Sequence, residues 1–239
     1  QARLRLRNTT RGVLTVTLNR PERLNAMTAE LLARLLEVLT DAARRPEVGA
    51  VVLTGAGRAF CAGGDVGDMA DARAHRPTFD ESVDNLRGAM EISRLLHDMP
   101  KPTIAMLRGA VAGAGLSIAL ACDLRIASDT LKLTTAFAKV GLSGDFGGTW
   151  FLTNLVGSAK ARELYLLSPI LRADEAERLG LVSRVVADAD LENETLKTAA
   201  ALAKGPRVTL GYIKKNLNQA ERGTLNQQGS GRGVWYDLR

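Results

Sequence analysis

Two loops built almost entirely from small residues constrain the fold of this 239-residue chain more than any other feature. Each follows a short apolar run: AVVLT at 50–54 precedes FCAGGD at 60–65, and TIAML at 103–107 precedes GAVAGAG at 109–115. Continuous apolar runs of this length are typical of strands buried on both faces of a parallel sheet. Small residues after such strands let a ligand approach the main-chain N–H groups, because no side chain is in the way.

The rest of the chain alternates strand patterns with helix patterns. Further strands are predicted at residues 13–18, 124–127 and 182–186. Helices are predicted at residues 28–43 with Thr28 as the cap, at 79–96, 116–122, 161–167 and 173–179, and from about Leu191 and Val208. This alternation favours an α/β domain with a largely parallel sheet. The polar, glycine-rich residues 226–239 are interpreted as loop or tail.

Composition excludes several classes of protein. Apolar residues make up 46% and charged residues 24%, which is the balance of a globular domain and not of a disordered or fibrous chain. The net charge of +6 suits an anionic ligand, but no run of like charge indicates nucleic acid as a partner. No segment approaches the length of a membrane span. The two cysteines, Cys61 and Cys122, are too few for a disulfide scaffold or a zinc site, so reduced thiols and a cytoplasmic location are expected.

Three segments are candidates for chemistry, and the residues alone leave two interpretations of each. The two small-residue loops either aim two N–H groups at one oxygen, as an oxyanion hole, or only allow close packing of helix on sheet. In the third segment, VGLSGDFGGTW at 140–150, Asp145 lies among glycines and apolar residues. It is either a turn residue or an acid/base whose pKa is raised by apolar surroundings.

Five segments together resemble one known family. They are LNRPERLNAMT (18–28), AFCAGGDV (59–66), KPTIAMLRGAVAGAGLSIALACDLRIAS (101–128), KVGLSGDFGGTW (139–150) and ERLGLVSRVV (177–186). In their order and spacing, over roughly residues 4–217, the chain resembles the enoyl-CoA hydratase/isomerase (crotonase) superfamily. The resemblance implies a ClpP/crotonase fold of repeated ββα units. It places an acyl-CoA site in a core of residues 1–185 and a helical trimerisation region with a tail in residues 186–239. A homotrimer is implied, and such trimers can pair into hexamers.

The resemblance also implies the ligand and its contacts. An acyl-CoA thioester would be held through its oxygen by the N–H groups of Ala62 and Ala114, with no further cofactor and no metal. The implied contact residues are Arg23, Leu24, Ala26, Ala62, Gly63, Gly64, Asp65, Val66, Ala112, Gly113, Ala114, Phe137, Val140 and Trp150. Arg23 is placed to meet the CoA phosphates or to form a surface salt bridge, and Asp65 to cap or brace its loop. Phe137 and Trp150 would keep the pocket dry, unless Trp150 belongs to the core.

The resemblance favours one reaction because of what replaces the hydratase residues. The two catalytic glutamates of the hydratases fall at Ser117 and Phe137, whereas Asp145 occupies the position of a single catalytic aspartate. That aspartate is found in double-bond isomerases and in the isomerase of epoxyphenylacetyl-CoA, which residues 139–150 resemble most. It implies that Asp145 moves a proton between two carbons of an enoyl- or epoxy-acyl-CoA. The alternatives are a hydratase with another base, a CoA-ester binder with little catalysis, and an aryl-CoA dehalogenase, whose histidine base falls at Met90.

Overall fold

The structure is a computed structural model that describes residues 4–8, 12–65 and 78–223. Its strands are β1 (Leu4–Asn8), β2 (Val13–Leu18), β3 (Ala50–Gly55), β4 (Thr103–Leu107), β5 (Ala110–Ala112), β6 (Leu124–Ser128), β7 (Lys132–Thr134), β8 (Leu171–Arg172) and β9 (Arg184–Val186). Its helices are α1 (Ala29–Arg44), α2 (Phe79–Asp98), α3 (Ala114–Leu120), α4 (Gly148–Leu167), α5 (Ala173–Arg178), α6 (Leu191–Lys204) and α7 (Arg207–Arg222).

A six-stranded sheet in the order β1-β2-β3-β4-β6-β9 forms the centre of the molecule. All of its pairings are parallel except that of β1 with β2. Because β3 and β4 run side by side in the same direction, the loops that follow them leave the sheet at the same edge. A second, three-stranded sheet in the order β5-β7-β8 stands beside the second of these loops. The predicted α/β class with a largely parallel sheet is therefore confirmed.

Apolar residues on the two faces of the central sheet form two cores. One face packs against α1, α2 and α3 around the fully buried Leu14, Val51 and Leu53. On the other face, Val52 and Ile104 pack against the alanines of α6, such as Ala199. The predicted boundary at residue 185 thus falls just before a helix that covers the same sheet, so residues 191–204 complete this core.

A buried lysine attaches the last helix to the body of the molecule. Lys214 of α7 donates to the carbonyl oxygens of Leu96 (2.7 Å) and Lys101 (3.1 Å), and its ammonium pairs with the Asp123 carboxylate at 2.8 Å. With three acceptors around it, this buried charge is compensated. The helix α7 is therefore fixed against the end of α2.

The prediction of secondary structure from the sequence found the long helices and the buried strands but missed several short strands. Thr28 caps α1 as predicted, since its hydroxyl accepts from the N–H of Leu31 at 3.3 Å. The strands β1, β5, β7 and β8 were missed; they have two to five residues each, too few for a clear periodicity. The helix α4 begins at Gly148, whereas the prediction placed its start at residue 161. The first part was missed because Gly157, at φ +77°, interrupts the helical pattern. The predicted tail at 226–239 lies outside the described residues.

Candidate active site

The fully buried Asn25 ties the loop after β2 to the loop after β3. Its side-chain oxygen accepts from the N–H of Arg20 at 2.9 Å, and its amide donates to the carbonyls of Ala56 (2.9 Å) and Ala59 (2.8 Å). Asn25 adopts φ +57°, a left-handed conformation that asparagine tolerates better than most residues. This asparagine therefore fixes where both loops stand at the sheet edge.

An ion pair braces the first small-residue loop. The guanidinium of Arg20 lies 2.8 Å from the Asp65 carboxylate and donates to the carbonyl of Ala26 at 2.6 Å. The two paired side chains are only 13% and 12% exposed, so water screens the pair weakly. The structure thus places Asp65 where a brace is needed. Sequence reasoning missed Arg20 and selected Arg23, whose side chain is exposed.

Main-chain hydrogen bonds connect the two small-residue loops. The N–H of Cys61 donates to the carbonyl of Ala110 at 3.1 Å, and the N–H of Ala112 donates back to Cys61 at 3.0 Å. Gly63 adopts φ +100°, and a Cβ added there would lie 3.2 Å from the carbonyl oxygen of Ala112. A Cβ added at Gly113 would likewise lie 3.9 Å from the Cα of Gly63. The backbones of the two loops are therefore in direct contact.

The structure corrects one of the two predicted oxyanion donors. The N–H of Ala62 donates to the carbonyl of Leu24 at 3.0 Å, so the prediction of Ala62 as a donor to ligand is wrong. Two residues further on, Gly64 lines a cavity together with Ala114. Within the described parts of the chain, the N–H groups of Gly64 and Ala114 have no hydrogen-bond acceptor. For Ala114 this follows from its place as the first residue of α3. Gly64 and Ala114 are therefore the pair available to an oxyanion.

The cavity has a volume of about 640 Å³ and lies between α1 and α2, with Gly64, Ala114 and Asp145 among its lining residues. Most of its wall is made of apolar or small residues. These are Met27, Ala29, Leu32, Ala33 and Leu36 from the α1 side, Leu86, Gly88 and Ala89 from α2, and Phe146. Such a wall suits an apolar acyl group. The N–H groups of Gly64 and Ala114 and the carboxyl of Asp145 supply polar groups at one place in the cavity.

Asp145 contributes a buried, unpartnered polar atom to this cavity. Its Oδ1 atom is buried and has no partner among the described residues. Burial raises the pKa of this carboxyl to about 6, because removal from water disfavours the charged form. The turn that carries it has Gly144 at φ +116° and Gly147 at φ +72° on either side. A carboxyl in this state can both take and return a proton near neutral pH.

The positions that carry glutamates in the hydratases lie close to the second loop. Ser117 is buried on α3, and its hydroxyl is 3.4 Å from the carbonyl of Gly113. Phe137 is buried and stacks on the ring of Tyr165, with centroids 5.9 Å apart. Neither position brings a second carboxylate to Asp145. Sequence reasoning did not identify Tyr165, since nothing around it in the chain distinguishes it from a core residue.

The other predicted contact residues fall into three groups. Leu24, Ala26 and Ala112 all belong to the hydrogen-bonded loop assembly, since each has a main-chain group bonded within it. Val140 is 58% exposed and does not line the cavity. Val66 lies outside the described residues.

Trp150 is not part of the cavity wall, so its predicted role in keeping the pocket dry is not supported. Its ring lies edge-on to those of His97, 5.4 Å away, and Phe151, 5.1 Å away. The guanidinium of Arg222 lies 5.7 Å from the same ring. Because the first turn of α4 rotates this side chain toward the end of α2, Trp150 joins α4 to α7.

No group of three His, Cys, Asp or Glu side chains that could hold a metal ion occurs in the described residues. Within those same residues, no helix is long and apolar enough to cross a bilayer. Both cysteines are buried and unpaired, and burial raises the pKa of each thiol to about 12. Neither is therefore a reactive thiolate.

Comparison with known proteins decides the family. The family model described as enoyl-CoA hydratase/isomerase matches residues 8–233. This chain belongs to the enoyl-CoA hydratase/isomerase family. It is 41% identical over 219 residues to the 1,2-epoxyphenylacetyl-CoA isomerase of Escherichia coli (strain K12), covering 91% of this chain and 83% of that protein.

Other members of the family with similar sequences have different names. The chain is 33% identical over 218 residues to 4-chlorobenzoyl coenzyme A dehalogenase-2 of Arthrobacter sp, covering 90% of this chain and 78% of that protein. The crystal structure of an enoyl-CoA hydratase from Polaromonas sp. JS666 superposes with a TM-score of 0.88 at 35% identity, covering 94% and 86% of the two chains. The crotonase fold and the CoA-thioester class are thus common to all, while the reaction differs between members.

The raised pKa of Asp145 predicts how its ionisation affects stability. In the folded state the carboxyl titrates at about 6, above the usual value of 3.8, so folding favours the protonated form. The resulting stability is fully present below about pH 4 and is lost as the pH rises through 6. The shift corresponds to at most about 3 kcal/mol, which partial exposure reduces to about 1 kcal/mol. Asp145→Asn should therefore raise the free energy of unfolding at pH 8 by about 1 kcal/mol and change it little at pH 4.

Urea denaturation of both proteins from pH 4 to pH 8, at one protein concentration, measures this difference. Asp129→Asn, at an exposed aspartate, is the matched control. A variant that is less stable than the wild type at pH 8 would contradict the placement of Asp145.

Proposed function

We propose that this chain isomerises an enoyl- or epoxy-acyl-CoA thioester through an enolate, with Asp145 as the single acid/base. The observation that carries the proposal is the environment of that carboxyl. It is half-buried in an apolar cavity, its Oδ1 atom has no partner among the described residues, and its pKa is raised to about 6. A carboxylate placed only for structure would be expected to have a hydrogen-bond partner, as Asp65 does.

In this proposal the thioester oxygen accepts from the N–H groups of Gly64 and Ala114. Removal of a proton from the acyl chain moves negative charge onto that oxygen, where the two donors stabilise it. Each fixed donor in an oxyanion hole contributes roughly 3–4 kcal/mol to the transition state. Because the donors belong to the main chain, they are in place before the substrate binds.

Asp145 accepts the proton from one carbon and returns it to another carbon of the same enolate. The electron pair of the broken C–H bond becomes part of the enolate, and reprotonation forms the new C–H bond. No atom is gained or lost, so one carboxyl suffices if it reaches both carbons. The step is a proton transfer, and we therefore propose that no cofactor is needed beyond the CoA of the substrate.

The residues at positions 117 and 137 favour isomerisation over hydration. Hydration requires one group that activates water and one that protonates the substrate. In hydratases, the resemblance places a glutamate at each of the two positions that correspond to 117 and 137. Here those positions hold a hydroxyl and a phenyl ring. The name of the E. coli relative is in line with the same choice.

The proposal predicts a product of unchanged composition. Purified protein incubated with a 3-enoyl-CoA should yield the 2-enoyl isomer at unchanged mass, identified by liquid chromatography with mass spectrometry. In heavy water, deuterium should enter the acyl chain only to the extent that Asp145 exchanges its proton with solvent before returning it. Asp145→Asn should lower the rate at least about a hundredfold, because general acid–base catalysis contributes that much. Asp129→Asn should leave the rate unchanged.

Two outcomes contradict this reaction. A product one water heavier, formed from a 2-enoyl-CoA, would identify a hydratase with another base. Binding of several enoyl-CoA esters with neither formation of an isomer nor deuterium uptake would identify a CoA-ester binder with little catalysis.

The cavity also predicts a position at which a larger side chain would limit the size of the acyl group. Gly88 lines the cavity from α2, and a Cβ added there would meet nothing within 4 Å. A leucine at this site can therefore enter the cavity without strain in the backbone. Gly88→Leu should lower kcat/KM for a phenyl-bearing acyl-CoA about tenfold or more relative to that for a four-carbon one, since a bulky group then overlaps the new side chain. Gly88→Ala is the graded control, and equal losses on both substrates would contradict the assignment.

We also propose that the protein forms a homotrimer, which can pair into a hexamer, in the cytoplasm. Support for self-association comes from large apolar side chains exposed at the end of α4, namely Leu166 (74%), Leu167 (70%) and Ile170 (60%). Clustered exposed apolar groups of this size are typical of interfaces. Light scattering coupled to gel filtration should give three or six times the chain mass, and Leu167→Asp should reduce it. A monomer at micromolar concentration would contradict the proposal.

A further inference from the structure

Two hydroxyl groups meet behind the turn that carries Asp145. Ser117 of α3 and Tyr165 of α4 both approach the backbone of Gly148, three residues after the aspartate. A Cβ added at Gly148 would lie 2.6 Å from the Tyr165 hydroxyl and would also overlap the Ser117 hydroxyl. The N–H of Gly148 in turn donates to the main-chain carbonyl of Asp145 at 2.9 Å. The two hydroxyls therefore lie against the point where the turn closes.

The ring of Tyr165 lies under the other end of the same turn. A Cβ added at Gly144 would lie 3.2 Å from the ring atom Cε1 and 3.6 Å from the hydroxyl. On its far side the ring stacks on Phe137 with an interplanar angle of 1°. Tyr165 is thus held in one orientation, and it contacts the residues on both sides of Asp145.

Ser117 links this support to the oxyanion donor. It lies on α3 one turn after Ala114, and its N–H donates to the carbonyl of Gly113 at 3.0 Å. Its hydroxyl and that of Tyr165 lie against the same backbone position, Gly148. Through this pair of hydroxyls, the helix that presents the Ala114 N–H touches the helix that follows Asp145.

The electrostatic state of Tyr165 suits such a role. Burial raises the pKa of its hydroxyl to about 12, while Ser117 lowers that pKa and the nearby Asp145 raises it. Tyr165 is therefore uncharged at neutral pH and adds no charge beside the carboxyl. Among the other described titratable groups, Asp65 lines the same cavity and is compensated by Arg20.

We propose that Tyr165, together with Ser117, is a positioning residue that sets the Asp145 carboxyl relative to the N–H of Ala114 and keeps water away from the back of the turn. This inference rests on the proposed function, because it assigns a role to Tyr165 in the proton transfer by Asp145. Tyr165 does not line the cavity, so it acts through the turn and not on the substrate.

The test uses Tyr165→Phe, Ser117→Ala and the double variant, each of which removes a hydroxyl without adding volume. On an enoyl-CoA substrate, each single variant should lower kcat about tenfold and leave KM within about twofold, since binding is retained while alignment is lost. The double variant should lose little more than the worse single variant, because the two hydroxyls act as one unit. The pKa that governs kcat should move down from about 6, since water that reaches the loosened turn relieves the desolvation of Asp145.

Tyr212→Phe on α7, outside the cavity, is the matched control and should leave kcat, KM and the pH profile unchanged. Unaltered kcat and an unaltered pH profile in all three variants would overturn the proposal. A merely structural role would also overturn the proposal. It would appear as a loss of thermal stability in which kcat falls only as much as the fraction of active protein, while the pKa that governs kcat does not change.

An infrared titration of the carboxyl separates failure of this inference from failure of the proposed function. The Asp145 band is identified by its absence in Asp145→Asn, and it is followed in wild type and Tyr165→Phe without any substrate. A lower pKa in Tyr165→Phe supports the positioning role even if no enoyl-CoA is turned over. An identical pKa overturns it even if the isomerase activity is found.

Discussion

The site depends on the direct contact between two main-chain loops at one edge of the parallel sheet. The N–H of Cys61 donates to the carbonyl of Ala110, and the carbonyl of Cys61 accepts from the N–H of Ala112. At Gly63 any side chain would press on the carbonyl oxygen of Ala112. The same holds at Gly115, where an added Cβ would lie 2.7 Å from the carbonyl oxygen of Cys61. Only small residues permit this approach, and only this approach brings Gly64 and Ala114 to a common cavity. The composition of the loops is therefore a requirement of the site geometry.

Among the described residues, two carboxylates line this cavity, and their surroundings differ. Asp65 is paired with Arg20 at 2.8 Å, and both side chains are largely buried. Asp145 is removed from water and has no paired cation among the described residues, so its charged form is disfavoured and its pKa rises to about 6. The ion pair holds the donor loop in place, while the unpaired acid is left free to exchange its proton.

Short-range patterns in the sequence predict the strands, the loops and the turn around Asp145, and the family resemblance implies the role of that carboxyl. Neither predicts the long-range contacts that complete the site. The apolar runs before each loop are local signals, and the glycines around Asp145 mark its turn. The choice of Gly64 over Ala62 depends on a hydrogen bond to Leu24, which forms only when the loop after β2 folds back. Arg20 and Tyr165 act on residues 45 and 20 positions away in the chain, so no periodicity reveals them. Trp150 was misplaced for a similar reason, since the rotation of α4 decides which side of the helix meets the cavity.

The same arrangement explains why a single acid and a dry turn belong together. A lone carboxyl that returns the proton it removed needs no water, whereas water beside it would lower its pKa and compete for the enolate. Behind Asp145, the rings of Phe137 and Tyr165 stack on each other. A glutamate at position 137, as in the hydratases, would bring a charge and its hydrating water to this place. The hydroxyl of Ser117 is too weak a base to activate water at neutral pH, but it can join α3 to α4. In the proposed isomerisation, a ring and a hydroxyl at the two positions therefore leave Asp145 as the single acid/base.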